Sequence, residues 1–348
     1  MTPRTSLDRL ADQNPVPAPD PALDSDAERT LEQILRAPRH TTESPSPRRR
    51  AAFLVAAATA LVVGAAGLLW PRPVEDPTVA APAPSSITLP PVAGDPFTLE
   101  STDGAAGRVP PLTFVSFDRP VTASDVLGAL SGKATTAAPP RGDGPFDYIR
   151  LREWGFYTAQ TQDGVVFDSG ISYSTREDWR AEDGSGLMIS SQDGVTDVVD
   201  VPPQPANSGT ATPPEGTDVA GVRQSLLERS GNAFTTAQWL ETYAEAWRGH
   251  VLSPAQNAAY LGVLSDRPGI DVIGETTDRA GRRGVAVSTS TPDRRTVLIL
   301  DPDTGELLDI ERIALSPAAV EIPVPVPTTI SYTVFEDRGR ATTLGVRP

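Results

Sequence analysis

Residues 51–70 read AAFLVAAATALVVGAAGLLW, twenty consecutive positions without a charge. At about 1.5 Å per residue a helix of this length spans about 30 Å, the hydrocarbon thickness of a bilayer. One transmembrane helix at Ala51–Trp70 is therefore expected, and the rest of the chain has to be arranged around it. Arg36, Arg39, Arg48, Arg49 and Arg50 precede the run, whereas only Arg72 follows it closely, ahead of Glu75 and Asp76. Positive charge stays on the cytoplasmic side, so the N-terminus is expected inside and the C-terminus outside a cell membrane. Trp70 falls where an interfacial aromatic belongs. A cleaved signal peptide fits less well, because both the polar leader and the apolar core are too long for that pattern, although Val79–Ala83 resembles a cleavage site. Ala52, Ala56, Ala60 and Gly64 recur every fourth residue and give the helix a face of small side chains, suited to a homodimer.

The flanks divide accordingly. Residues 1–50 are expected to be cytoplasmic and mostly disordered, with proline-rich stretches at Asn14–Pro21 and Pro38–Pro47. One short helix is expected at about Asp26–Ala37, where Ser25 and Glu28 make a capping box and Leu31, Ile34 and Leu35 a small apolar face. Residues 71–96 form a Pro/Ala-rich linker, and 97–348 an extracytoplasmic domain.

Within that domain, Asp147–Ala159 (DYIRLREWGFYTA) and Gly164–Ser174 read as strands joined at Gln162–Gly164, a hairpin, with a third strand at Leu187–Ser191. The period then changes to helical. Gly216–Arg229 carries Val219, Val222, Leu226 and Leu227 at helical spacing, and Thr235 with Gln238 caps a second helix running to about Gly249. Ser253, Pro254 and Gln256 open a third that ends near Leu264. Strands return at Ile270–Thr277, Gly284–Thr289, Arg295–Leu300, Glu306–Ile313 and Thr328–Phe335. The breaks are Pro139–Pro145 and Pro202–Gly216. Strands, then helices, then strands with short links predict an α+β fold: a curved, mostly antiparallel sheet packed on two or three helices.

The chemistry is bounded by what the chain lacks. It has no cysteine and only His40 and His250, which removes thiolate nucleophiles and iron–sulfur ligation and leaves Ser-His-Asp catalysis little to use. A net charge of −15 argues against nucleic acid as a partner. Asp301, Asp303 and Glu306 imitate a calcium loop, but Gly305 falls one position early, so Asp301–Gly305 reads as a hairpin turn. Glu153, Asp168, Asp178 and Asp183 are acidic enough for glycoside hydrolysis, yet acids on the wet faces of strands are the ordinary case. His250, just past a helix end, suits the helix dipole. No catalytic residue, metal or cofactor is expected. Trp154, Phe156, Tyr157, Tyr173 and Trp179 are the candidate lining of an apolar site for a lipid or sugar, and a protein partner is the other binding reading.

Several segments in combination (Arg48–Trp70, DYIRLREWGFYT at Asp147–Thr158, DWRAEDGSG at Asp178–Gly186, Tyr260–Val287, LDPDTGELL at Leu300–Leu308 and ISYTVF at Ile330–Phe335) resemble an uncharacterised family of actinobacterial single-pass membrane proteins. The likeness covers most of the chain and implies an anti-sigma-like topology without assigned catalytic residues. The ending of paired strands around DPDTGELL is also similar to the half-barrels of lipoprotein carriers and sigma-E regulatory proteins, which implies a lipid-holding sheet. A non-enzymatic module in envelope sensing or regulation is the reading these features favour. The alternatives are a lipid- or lipoprotein-binding half-barrel and a transmembrane anti-sigma-like regulator.

Overall fold

Among the described residues of the computed structural model, eleven strands join in one sheet, in the order β1-β2-β7-β8-β9-β10-β11-β3-β4-β5-β6, every named pair antiparallel. The structure describes residues 88–100, 109–160, 166–192, 194–204, 216–230, 234–319 and 324–348. The expected membrane helix, its small-residue face and the cytoplasmic helix lie outside them. Among the described residues no helix is long and apolar enough to cross a membrane.

The strands are β1 (Phe97–Thr98), β2 (Thr113–Val115), β3 (Phe146–Gln160), β4 (Val166–Arg180), β5 (Gly186–Gln192) and β6 (Val195–Val201). After the helical stretch come β7 (Asp271–Thr277), β8 (Arg283–Ser290), β9 (Arg294–Leu300), β10 (Leu307–Ala314) and β11 (Thr328–Ala341). The helices are α1 (Ala123–Thr136), α2 (Val219–Ser230), α3 (Thr236–Gly249) and α4 (Pro254–Ser265). The α+β class with one large antiparallel sheet is as expected. The helix count is corrected to four among the described residues, because α1 had not been foreseen. Its capping box uses Asp125 at the third position rather than Glu or Gln, and Gly128 and Gly132 dilute its helical signal. The other two boxes are the expected ones. Thr235 and Ser253 each accept from the backbone N–H three residues on, at 3.3 Å, and Gln238 and Gln256 reach back to the cap N–H.

Alternation along the strands sends side chains to two covered faces. On the helix side, Val285, Val287, Leu298, Leu300, Leu307 and Ile310 share one core with Leu127, Leu130, Leu226, Leu240, Trp247 and Leu261. On the other side, Ala286, Val297, Ile299, Leu308 and Ile313 pack with Leu112 and Phe114. Central strands buried on both faces read as continuous apolar runs, which is why RRTVLIL lacks a two-residue period. The segment before β1 belongs to this packing: Val92 bridges Phe117, and the Asp118 N–H donates to the Pro91 carbonyl at 2.8 Å.

Register explains the one part of the sheet that stands apart. β3 pairs with β11 only as far as Gly155, and β4 pairs with β5 only from Ser174 onward. Phe156–Gln160 pair with Val166–Ile171 and have no third strand beside them among the described residues, while Tyr173, opposite Trp154, stands at the base of this extension, where β11 still pairs with β3. The two segments form a two-stranded arm extending past the rest of the sheet.

Candidate functional site

On the sheet face away from the helices lies a cluster of carboxylates around one guanidinium. Arg279, in the β7–β8 turn, donates from Nε to Glu311 Oε1 at 2.7 Å and from Nη2 to Oε2 at 3.0 Å. Its Nη1 reaches the Pro110 carbonyl at 2.6 Å, and its guanidinium lies 5.0 Å from the Tyr332 ring centre. Side-chain exposure is 9% for Arg279 and 2% for Glu311, so this is a desolvated pair. Asp309, fully buried, accepts from the Arg279 N–H at 3.5 Å with one oxygen, while its Oδ1 has no partner. Burial, reinforced by the neighbouring Glu311, pushes the Asp309 carboxyl well above the usual range. Burial also raises Glu311, against the opposing pull of Arg279. A buried carboxylate without full compensation takes up a proton rather than stay charged.

The Thr329 hydroxyl sits between two of the carboxyl groups. It lies 2.6 Å from Glu100 Oε1 and 3.1 Å from Glu311 Oε2. A hydroxyl has one proton to give, so the second contact is completed only when a carboxyl carries a proton and donates back. Glu100 also accepts from the Thr329 N–H at 2.7 Å, which ties the segment just after β1 to the start of β11.

The helix side has its own polar layer. Arg248 on α3 pairs with Glu153 at 2.7 Å and donates to Thr333 Oγ1 at 2.7 Å. Burial alone would raise Glu153, but Arg248 and Arg176 outweigh it and hold the carboxyl below its ordinary value. Arg176 Nε donates to Asp178 at 2.8 Å, and Arg312 grips Glu241. Of the four acids singled out by sequence, Glu153 and Asp178 are thus engaged by arginines. Asp183 caps a turn by accepting from Ser185, and the side chain of Asp168 lies outside the described ones. Asp301 accepts from the N–H groups of Asp303 and Thr304 at 2.8 and 3.0 Å, and Gly305 has φ +68°, the hairpin turn expected. His250 is the C-cap residue of α3, 3.9 Å from Asp147.

A cleft of about 270 Å³ opens between the loop after α1 and the β10–β11 strands. Ile149, Trp247, Leu307 and Phe335 give it an apolar floor, and Arg141, Arg282 and Arg338 give it charge. Arg338 stacks over Trp247 at 3.8 Å and pairs with Glu306, while Arg141 pairs with Asp337 and Arg282 with Asp278. A ligand here would compete with three existing ion pairs. The sequence pattern barely marks this cleft. Its one signal was an arginine-rich strand end, Arg338 and Arg340 inside EDRGRA.

The five aromatics of the expected apolar lining fall in three places. Trp179 is buried against Tyr148, ring centres 5.0 Å apart, and donates from Nε1 to the Val346 carbonyl at 2.8 Å. Trp154 stacks on Tyr332 at 5.8 Å and meets Phe156 edge-on at 5.4 Å. Register puts Tyr173 opposite Trp154 and Ile171 opposite Phe156 on that same face, whereas Tyr157 points to the other face opposite Gly170. The structure therefore brings together Trp154, Phe156 and Tyr173, adds Ile171 and Tyr332, and separates Tyr157 and Trp179 from them. Tyr157, Ile171 and Tyr173 are 39%, 41% and 44% exposed. None of the five aromatics lines the 270 Å³ cleft. Compared with protein-family profiles and with curated proteins, the chain matches none.

Proposed function

We propose that this chain is a membrane-anchored, non-enzymatic extracytoplasmic module of envelope sensing or regulation. In this reading residues 1–50 are cytoplasmic, 51–70 cross the bilayer, and the domain acts outside by docking. The two-stranded arm carries the proposal. It presents exposed Tyr157 and Ile171 on a ribbon with no third strand beside it among the described residues, and exposed Tyr173 at its base, and an isolated ribbon bearing large apolar groups gains stability when something covers it. Docking is further supported by the acids singled out in sequence, of which Glu153 and Asp178 are held by arginines and Asp183 by a turn. The twenty-residue uncharged run and the arginine asymmetry around it support the anchoring. The resemblance to actinobacterial single-pass membrane proteins fits the same topology.

The lipid- or lipoprotein-binding half-barrel is the second reading. A curved sheet wrapped on its helices would hold an acyl chain, and the apolar floor of the cleft on the helix side, Ile149, Trp247, Leu307 and Phe335, favours it. The anti-sigma-like alternative rests on topology and predicts a sigma factor bound to residues 1–50.

Cell membranes carrying the chain, washed with alkaline carbonate and treated with protease from outside, test the main reading. Retention in the membrane with loss of the 88–348 region is expected. Release by the wash refutes anchoring, and protection of the domain refutes the orientation. Native mass spectrometry of the purified chain separates the binding readings, because a co-purifying lipid mass in stoichiometric amount favours the half-barrel.

A further inference from the structure

The arm is depleted of charge as well as rich in apolar surface. From Trp154 to Thr175, between Glu153 and Arg176, the sequence holds only Asp163 and Asp168 as charged residues, in a chain that is 22% charged overall. Beyond Trp154, the large apolar side chains described on it are Phe156, Tyr157, Ile171 and Tyr173, presented to both sides of the ribbon by alternation. Aromatic and aliphatic groups set among serine, threonine and glutamine, with no lysine or arginine, match the headgroup–acyl boundary of a bilayer. There tyrosine rings sit at the headgroups and aliphatic side chains below them. The remaining chain supplies the means. Residues 71–87 link the uncharged run to the first described residue, and a proline-rich linker of that length reaches on the order of 50 Å at about 3.1 Å per residue. A tether of that reach confines the arm to the neighbourhood of one bilayer and raises its effective concentration there.

We propose that the β3–β4 arm is a second membrane contact, which inserts Phe156, Ile171 and Tyr173 into the interface of the bilayer that anchors the chain. This inference rests on the membrane-anchored reading above. Because the arm lacks basic residues, the contact is made with neutral lipid and does not weaken with added salt, unlike a polybasic contact.

The absence of cysteine permits a single reporter on the full chain. Ser169→Cys places an environment-sensitive fluorophore on the exposed side of the arm, and Asp303→Cys places one on the Asp301–Gly305 turn as reference. The chain is reconstituted in phosphatidylcholine vesicles that carry a lipid-attached quencher. Quenching at position 169 but not at 303, unchanged between low and high salt, is the expected result. In the Ile171→Ser/Tyr173→Ser background, quenching at 169 should fall at least about tenfold, since two buried apolar side chains contribute more than a factor of ten. An unchanged thermal unfolding midpoint would show that the domain of this variant is intact. Absence of quenching in chains that resist alkaline carbonate overturns the arm contact and leaves the anchored reading standing. Equal quenching in both backgrounds, or self-quenching between copies without lipid quenching, also overturns it. Chains that the carbonate wash removes from the vesicles overturn both.

Discussion

Replacing Arg279 with methionine isolates the physics of the buried carboxylate cluster. Methionine keeps an unbranched apolar stem and removes the charge, leaving Glu311, Asp309 and Glu100 facing one another. Breaking a buried ion pair by deleting one member costs about 3–5 kcal/mol, because the survivor stays charged and desolvated. With side-chain exposures of 9% and 2%, the Arg279–Glu311 pair belongs in that class rather than with surface pairs. The cost should depend on pH. Asp309 and Glu311 already hold their protons more tightly in the fold than in the unfolded chain. For acids raised in this way, stability declines as pH rises from the ordinary carboxylate value toward the raised folded value, and acidification restores it. Removing Arg279 takes away the group that opposes the rise, so the window widens upward. Each pH unit over which the folded variant holds one extra proton is worth about 1.4 kcal/mol. Arg279→Met should therefore cost about 3–5 kcal/mol at pH 8. At pH 5 it should cost about 1–2 kcal/mol, the residue being the lost Pro110 hydrogen bond and the Tyr332 contact. Urea unfolding of the detergent-solubilised chain, followed by tryptophan fluorescence at both pH values, measures the difference. The double variant Arg279→Met/Glu311→Met should return to within about 1–2 kcal/mol of the parent at pH 8. An equal loss at both pH values would refute the reasoning, as would a double variant no better than the single.

Three further perturbations follow from local geometry. Asn257→Ala strips the Gly305 carbonyl of a 3.0 Å donor and the Tyr243 hydroxyl of a 2.7 Å acceptor, both buried, and should cost about 2–3 kcal/mol in chemical denaturation. Gly305→Ala puts a methyl group 2.7 Å from the Leu130 carbonyl oxygen at a φ of +68°, and should cost at least about 1–2 kcal/mol, read as a lowered urea midpoint with unchanged slope. Ser253→Ala removes one half of the α4 capping box and should cost about 1 kcal/mol, with Ser253→Thr recovering most of it in thermal melts.

Elements whose signals are local were readable. The boxes at Thr235 and Ser253, the helices behind them and the strands β7 to β10 need only a few neighbouring residues to declare themselves. Elements missed in the sequence carry signals that depend on distant partners. β11 was expected to end at Phe335 but runs to Ala341, because Asp337, Arg338 and Arg340 in its charged end pair with Arg141, Glu306 and Asp147 across the fold. β6 (VTDVVDV) was passed over because its acids interrupt the alternation; it is held as a strand by full pairing with β5.

The same logic decides which parts of the candidate site could be foreseen. The arm was partly visible, since DYIRLREWGFYT concentrates aromatics in one strand, and the alternation rule alone separates Tyr157 from Phe156. The buried cluster was not visible. Glu100, Arg279, Asp309, Glu311 and Thr329 come from four separate segments, and in sequence each reads as a polar residue on the wet face of a strand or turn. Reading Asp309 and Glu311 as wet assumes that the sheet has one covered face. Here the N-terminal segment and β2 close over the second face, where Leu112 and Phe114 pack against Val297 and Ile313. That closure puts acids where the pattern predicts solvent, and Arg279 is the cation placed to meet them. Alternation tells which side chains share a face; whether that face is dry depends on what the rest of the chain brings to cover it.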